Sequence, residues 1–143
     1  MTESRYKARP MIAGRVEGEA LVSRRAFTFA HGVDPTTGRV TDVHSDLKDL
    51  NLRGKVLFYP FGKGSTTGSA WFLETVRLGN GPAAVATESV DLSVVIGSVL
   101  ARSLYSKTIP VLSSLPSQVH SSLETGRRVV VDGGTGEIVI HRP

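Results

Sequence analysis

A short apolar run that leads into a glycine-rich loop constrains this chain more than any other feature. Residues 55–59 have the composition of a buried strand, and residues 61–69, called the glycine loop below, contain three glycines and four hydroxyl side chains. Apolar residues at helical spacing follow, and a glycine-proline turn then ends the helix: Ala70, Leu73, Val76 and Gly79–Pro82. The sequence therefore predicts a strand, a glycine loop and a helix in succession.

The glycine loop has the composition of an anion-binding site. Glycine lets a backbone approach a ligand closely, and a helix start offers N–H groups and the positive end of the helix dipole. Lys63 adds a positive charge. We therefore expect these residues to bind a substrate: Gly62, Lys63, Gly64, Thr66, Thr67 and Ser69. An ordinary strand-to-helix turn with a Ser or Thr N-cap explains the same residues and stays open.

Three well-known loop motifs do not fit the glycine loop. A Walker loop needs Gly-Lys followed directly by Ser or Thr, whereas Lys63 lies between two glycines. The dinucleotide motif fails because Thr67 stands at the third glycine position and Gly68 comes one residue late. The nucleophile elbow of serine hydrolases is absent as well, since residues 64–68 have the wrong spacing.

Composition places the chain among small globular proteins. With 143 residues, 40% of them apolar, we expect a single domain over residues 1–143 with residues 1–10 frayed. A net charge of +4, scattered basic residues and 6% aromatic residues do not suit a nucleic-acid-binding surface. The chain has no cysteine and no apolar stretch of membrane-spanning length. We expect a cytoplasmic protein without a nucleic-acid or membrane partner.

The remaining pattern predicts a mixed α/β fold. We expect edge strands at 11–22, strands at 83–87 and 109–112, a buried helix at 90–105, a short helix at 116–123, and a hairpin of 128–132 and 137–140. Because strands outnumber helices and the helices are central, the expected class is an α/β sandwich or barrel with a mixed sheet and flanking helices. The turn-rich segment 27–51 shows no periodicity, and its ordered turn signals favour a functional loop over disorder.

Four residues of the turn-rich segment could bind a metal or transfer protons: His31, Asp34, Asp42 and His44. Imidazole and carboxylate groups serve in both roles. Two histidines in a loop are more often surface or hydrogen-bonding residues. We therefore expect no metal ion bound by this chain.

An ordered series of motifs extends over most of the chain. They are Gly14-x-x-x-Gly18-Glu-Ala-Leu-Val-Ser23, Phe29-x-x-Gly-Val-Asp-Pro-x-Thr-Gly38, Asp42-x-His44, Gly54-Lys-Val-Leu57, Gly62-Lys-Gly-Ser65, Gly68-Ser69 and Gly81-Pro-Ala-Ala84. From about Gly14 to Val111 the series resembles the small subunit, or swivel domain, of the aconitase X hydro-lyases. The terminal hairpin is similar to the one that completes the barrel of swivelling β/β/α domains. The resemblance implies that fold.

The same resemblance implies a dehydratase made of two parts. In the family a large partner subunit supplies the cysteine ligands of an iron–sulfur cluster, and the small part closes over the substrate. The absence of cysteine from this chain agrees with that division. The position of the family's proposed proton acceptor is occupied here by Ser65.

The resemblance implies a small hydroxy acid as the substrate and leaves its identity open. Because the glycine loop has one lysine and no dense basic cluster for a phosphate, we expect cis-3-hydroxy-L-proline. Mevalonate 5-phosphate is the alternative, since backbone N–H groups alone can bind phosphate. A swivel module that binds a small anion without catalysis is a further alternative. The turn-rich loop is expected to face the partner and the pocket, which adds three substrate-binding residues: His31, Asp34 and His44.

Overall fold

The structure, a computed structural model, describes residues 3–64 and 66–142. Within these residues the chain forms eight strands and three helices: β1 (Glu3–Lys7), β2 (Arg9–Ile12), β3 (Arg15–Val22), β4 (Val56–Tyr59), α1 (Gly68–Arg77), β5 (Ala84–Thr87), α2 (Leu92–Tyr105), β6 (Val111–Ser113), α3 (Ser117–Ser122), β7 (Arg128–Asp132) and β8 (Glu137–His141). Among the described helices, none is long and apolar enough to cross a membrane.

All eight strands join one mixed sheet in the order β1-β8-β7-β3-β4-β5-β6-β2. The neighbours from β3 to β6 are parallel, and the other pairs are antiparallel. The two edge strands, β1 and β2, are separated in the chain by Ala8 alone, so the sheet must curl until its edges lie close together. A mixed sheet with flanking helices confirms the predicted α/β class.

Alternating side chains of the strands enter two cores, one on each side of the sheet. In β4, Leu57 and Tyr59 belong to the core beneath α1 and α2. Val56 and Phe58 point the other way, into a core that contains residues of β7 and β8 together with Val119 of α3. Both sides of β4 are therefore buried, as expected for a central parallel strand.

The segment 27–51 is an ordered cover over the first core. Five of its apolar side chains are buried: Phe27, Phe29, Val33, Val40 and Leu47. Three short bridges hold it in place, two within the segment and one to the glycine loop: Val33–Val40, Arg39–Asn51 and Phe27–Gly62. The segment contains the turns that the sequence predicted. It also packs on the core, which its lack of periodicity did not indicate.

Two expectations for the N-terminal third are wrong. Residues 3–7 and 9–12 are not frayed, because β1 pairs with β8 and β2 pairs with β6 through backbone hydrogen bonds. The region 11–22 is not edge structure throughout, since β3 lies in the middle of the sheet between β7 and β4. Neither the pairing of β1 and β2 nor the central position of β3 could be predicted from side chains, because strands pair through backbone groups that all sequences share.

Helix α2 is exposed on one face, which corrects the expectation of a buried helix at 90–105. Val94 and Ala101 are fully buried, whereas Leu92 is 65% exposed and Val99 is 52% exposed. α2 packs closely on α1 at Gly97, where an added Cβ would lie 2.5 Å from the Phe72 ring. A helix that is apolar all round is normally buried all round, but this fold covers only one side of it.

Candidate functional site

A cleft of about 240 Å³ lies where the glycine loop passes the start of α2. Residues 61–64 and residues 90–93 line it, and these segments follow the carboxyl ends of the parallel strands β4 and β5. α1 starts close by, since a Cβ added at Gly68 would lie 3.2 Å from the Ser93 hydroxyl oxygen. Ligands of open α/β sheets bind outside the carboxyl ends of parallel strands, so the cleft is at the expected end of this sheet.

Two glycines of the loop are required by local geometry. A Cβ added at Gly62 would lie 2.4 Å from a carboxylate oxygen of Asp91. Gly64 has a φ of +100°, and a Cβ there would also lie 3.1 Å from the Thr28 hydroxyl oxygen. Any larger residue would push the loop away from α2 or strain its backbone.

The helix starts have fewer free N–H donors than the sequence suggested. In α1, the N–H groups of Ala70 and Trp71 donate to the Thr67 carbonyl at 3.1 and 3.2 Å. In α2, the Ser93 N–H donates to the Asp91 carboxylate at 3.1 Å. The Asp91 charge makes the α2 start unfavourable for an anion, which leaves the dipole of α1 as the helix contribution to anion binding.

Lys63 is held by an acidic partner from the turn-rich segment. Its ammonium lies 2.9 Å from the Asp42 carboxylate, whose side chain is only 13% exposed. Partial burial raises the pKa of Asp42, but the Lys63 hydrogen bond and the His44 backbone N–H lower it more, so its pKa is below the ordinary value. The pair brings residues 42–44 to the glycine loop and neutralises part of the charge that the sequence assigned to Lys63.

A buried tyrosine is hydrogen-bonded to Asp91, one of the residues that line the cleft. The Tyr59 hydroxyl donates to Asp91 at 2.7 Å. Burial, and then the charge and hydrogen bond of Asp91, raise the pKa of Tyr59, so this hydroxyl stays protonated as a donor. The sequence analysis missed this pair, although an aspartate directly before an apolar helix is a recognisable N-cap signal.

His31 and Asp34 of the turn-rich segment make contacts of their own, whereas the His44 backbone N–H donates to Asp42 at 3.0 Å. His31 packs its ring on Trp71 of α1, with 4.5 Å between ring centroids. Asp34 accepts hydrogen bonds from the Thr36 hydroxyl and N–H at 2.7 and 2.9 Å, which lower its pKa, so it stabilises its own turn. Residues 3–64 and 66–142 contain no group of three or more potential metal ligands.

The described hydroxyl residues of the glycine loop lie at the start of α1. Thr67 stands at the N-cap position, but its side chain makes no capping hydrogen bond, so the ordinary-turn interpretation is met in position only. Thr66 is exposed, and its carbonyl accepts a hydrogen bond from the Ser69 hydroxyl at 3.0 Å. Ser65, the predicted proton acceptor, lies outside the described residues.

Several known proteins are similar to this chain over nearly its whole length. The phosphomevalonate dehydratase small subunit of Pyrococcus furiosus is 38% identical over 136 residues, which cover 95% of each chain. The protein of the same name from Thermococcus sibiricus is 37% identical and covers 94% of this chain and 96% of its own length. The crystal structure of aconitase X from Thermococcus kodakaraensis superposes with a TM-score of 0.86 at 36% identity, covering 96% of this chain and 98% of that chain.

The family comparison agrees with the fold and with the motifs. The model of the aconitase X swivel domain matches residues 5–140, a range that includes every strand except the first two residues of β1 and the last residue of β8. The matched range also contains the cleft, the glycine loop and the turn-rich segment. The chain therefore belongs to the aconitase X swivel domain family.

Proposed function

We propose that this chain is the small subunit of a phosphomevalonate dehydratase, which removes water from mevalonate 5-phosphate. The observation that carries the proposal is the agreement, over about 95% of the chain, with relatives of that name. The sequence-based expectation of cis-3-hydroxy-L-proline has no support from these relatives. We retain the cytoplasm as the proposed location.

The cleft supports the binding of a small anionic substrate. The α1 dipole and Lys63 favour an anionic group at the glycine loop. Asp42 keeps Lys63 in one position at a distance of 2.9 Å. Because Asp42 already balances part of the lysine charge, the site suits a substrate that interacts through hydrogen bonds and the helix dipole as well as through charge.

The proposed chemistry at this chain is the movement of one proton. Ser65, as an alkoxide, accepts the proton from the carbon beside the substrate carboxylate, the C–H electron pair forms the double bond, and the neighbouring hydroxyl leaves as hydroxide. Return of the proton from Ser65 to the hydroxide gives water and restores the alkoxide. Lys63 and the α1 dipole favour the negative charge that a serine acceptor must carry. His31, Asp34 and His44 remain proposed substrate contacts, with His44 next to the Lys63–Asp42 pair.

A large subunit supplies the rest of the proposed enzyme. This chain has no cysteine, and its described residues offer no group of three or more metal ligands. We therefore assign the iron–sulfur cluster to the large subunit, where it would act as a Lewis acid on the departing hydroxyl. In this proposal the glycine loop binds the substrate and accepts its proton.

Anaerobic co-purification of this chain with the large subunit from the same organism tests the proposal. Mevalonate 5-phosphate and cis-3-hydroxy-L-proline are then supplied separately, and water loss is followed by mass spectrometry. We expect turnover of mevalonate 5-phosphate by the complex and by neither subunit alone. Turnover of the hydroxyproline alone, or of neither compound by an intact complex, would refute the substrate assignment.

A further inference from the structure

An exposed apolar stripe extends along the outer face of α2. We call it the outer stripe, and its five members are between 37% and 65% exposed: Leu92, Ile96, Val99, Leu100 and Leu104. Positions separated by three, four or seven residues lie on one face of a helix. The stripe is therefore continuous along α2.

The outer stripe lies opposite the face that packs on the protein. The inward residues of α2 are small or β-branched: Val94, Gly97, Ser98 and Ala101. Arg102 is the only charged residue in the helix. A surface helix normally places charged and polar residues outward, so an outer face of leucine, isoleucine and valine indicates a surface that is covered in the working protein.

The outer stripe continues into the cleft. Leu92 lines the cleft at the start of α2, together with Phe61 and Val90, which are 51% and 38% exposed. Seven such side chains expose on the order of 600 Å² of apolar surface, at the upper end of the roughly 300–600 Å² patch found on monomers. Each partner of a standard interface contributes about 800 Å², so the patch has nearly the size that a stable complex needs.

We propose that the outer stripe, with Phe61 and Val90, is the surface on which the large subunit docks. This inference rests on the proposed function, which requires a second subunit over the cleft. A partner seated on the stripe reaches the cleft directly, because Leu92 belongs to the stripe and also lines the cleft. A second copy of this chain in the same position would cover the cleft mouth and exclude the large subunit.

Glutamate substitutions on the stripe test the docking surface in the co-expressed complex. Ile96→Glu and Val99→Glu place a charge in an apolar contact, whereas Gln118→Glu adds a charge to an exposed residue of α3, the helix that packs on the other core. We expect the dissociation constant of the complex to rise at least ~30-fold for each stripe variant, as for a hot-spot residue. For Gln118→Glu we expect it to change by less than about threefold. Circular dichroism of each variant chain should match wild type, because all three positions are exposed.

The outcomes separate this inference from the proposed function. If the wild-type complex turns over mevalonate 5-phosphate but Ile96→Glu and Val99→Glu bind the large subunit as wild type does, the docking surface is wrong and the function stands. If the stripe variants abolish binding while the wild-type complex is inert to both substrates, the docking surface stands and the substrate assignment is wrong. If the isolated chain is a dimer that the stripe variants dissociate without weakening the large-subunit complex, the stripe is a self-association surface and the inference is overturned.

Discussion

The glycine loop and the turn between β7 and β8 are both glycine-rich, but they need glycine for different reasons. In the hairpin turn, a Cβ at Gly133 would lie 1.8 Å from the Ile12 carbonyl oxygen, and one at Gly136 would lie 2.1 Å from the Ala8 carbonyl oxygen. Within the turn, the Asp132 carboxylate accepts hydrogen bonds from the N–H groups of Gly134 and Thr135. The hairpin glycines therefore allow two parts of the backbone to come into contact.

In the glycine loop, an added Cβ would meet side chains instead of backbone. At Gly62 it would meet the carboxylate of Asp91, which lines the cleft, and at Gly64 it would meet the Thr28 hydroxyl. Gly64 and Thr66 are exposed, next to Lys63 and its partner. Glycine content alone does not distinguish a structural turn from a binding loop, whereas the atoms that a Cβ would meet do. Substitutions in the hairpin should reduce stability, and substitutions in the loop should reduce activity.

Removal of one hydroxyl group from each region should give the largest difference in the turnover of the complex. We expect Ser65→Ala to lower the turnover of the complex by about 10²–10⁴-fold, the usual contribution of a general acid or base. The matched change Thr135→Ala removes a hydroxyl that accepts the Glu137 N–H at 3.2 Å, and it should leave turnover unchanged. Steady-state kinetics of both complexes measures the contrast. Full activity of Ser65→Ala would favour the non-catalytic anion-binding module.

A single methyl group at the hairpin should give the largest loss of stability. Gly136 has a φ of +86°, and Gly136→Ala combines left-handed strain with contact against the Ala8 carbonyl, for a loss of about 3 kcal/mol. Gly126→Ala is the control, because Gly126 has a φ of +100° and nothing within 4 Å of an added Cβ. It should cost about 1 kcal/mol. Urea unfolding measures both, and equal losses would show that the Ala8 contact is unimportant.

The same methyl group in the glycine loop should act more on activity than on stability. Gly62→Ala displaces the Asp91 carboxylate, which weakens the Tyr59 hydrogen bond and the α2 cap, so we expect a stability loss of about 1–2 kcal/mol. Turnover should fall by at least ~10-fold because the loop shifts, and even small misplacements of groups in an active site reduce the rate strongly.

A double-mutant cycle isolates that contact. Asp91→Ser keeps a capping side chain but shortens it, so the added cost of Gly62→Ala should shrink in the Asp91→Ser background. Unfolding free energies of the four proteins supply the test. Additive losses would mean that Gly62 and Asp91 do not interact.

The Lys63–Asp42 pair should have the smallest effect on stability. Because Lys63 is 36% exposed, solvent screening limits the contribution to about 0.5 kcal/mol at pH 7, measured as the difference between wild type and Asp42→Asn. The pKa of Asp42 is lowered from 3.8 in the folded state. The stabilisation is therefore present above pH 3.8 and disappears as the pH falls through the lower folded-state pKa. A difference that grew on acidification would contradict this pairing.

Local patterns predicted the strands and helices that carry strong apolar signals. The buried strand at 55–59, the helix after the glycine loop and the terminal hairpin agree with the observed elements to within about two residues. The ordered motifs also identified the family, because they combine positions that are far apart in the sequence. β1 and the first two residues of β2 were missed, since their pairing with β8 and β6 uses backbone groups and leaves no side-chain pattern.

Sequence reasoning named residues of the candidate site but not the contacts between them. The glycine loop lies at the cleft, and Asp42 and His44 come close to the loop because Lys63 binds Asp42. Asp34 instead stabilises its own turn, and His31 packs on Trp71. Tyr59 and Asp91 are 32 residues apart, so no spacing rule could have joined them.

The sequence by itself determined the strand, glycine loop and helix and the α/β class, because these follow from local apolar patterns and from the order of the elements. Tertiary structure alone decided that β1 closes one edge of the sheet, that Asp91 faces Gly62 and that one face of an apolar helix stays uncovered. Each of these depends on contacts between distant segments, whose geometry is set by the whole fold. The apolar pattern of α2 predicted a buried helix, one face is exposed in the structure, and we attribute the missing cover to a second subunit.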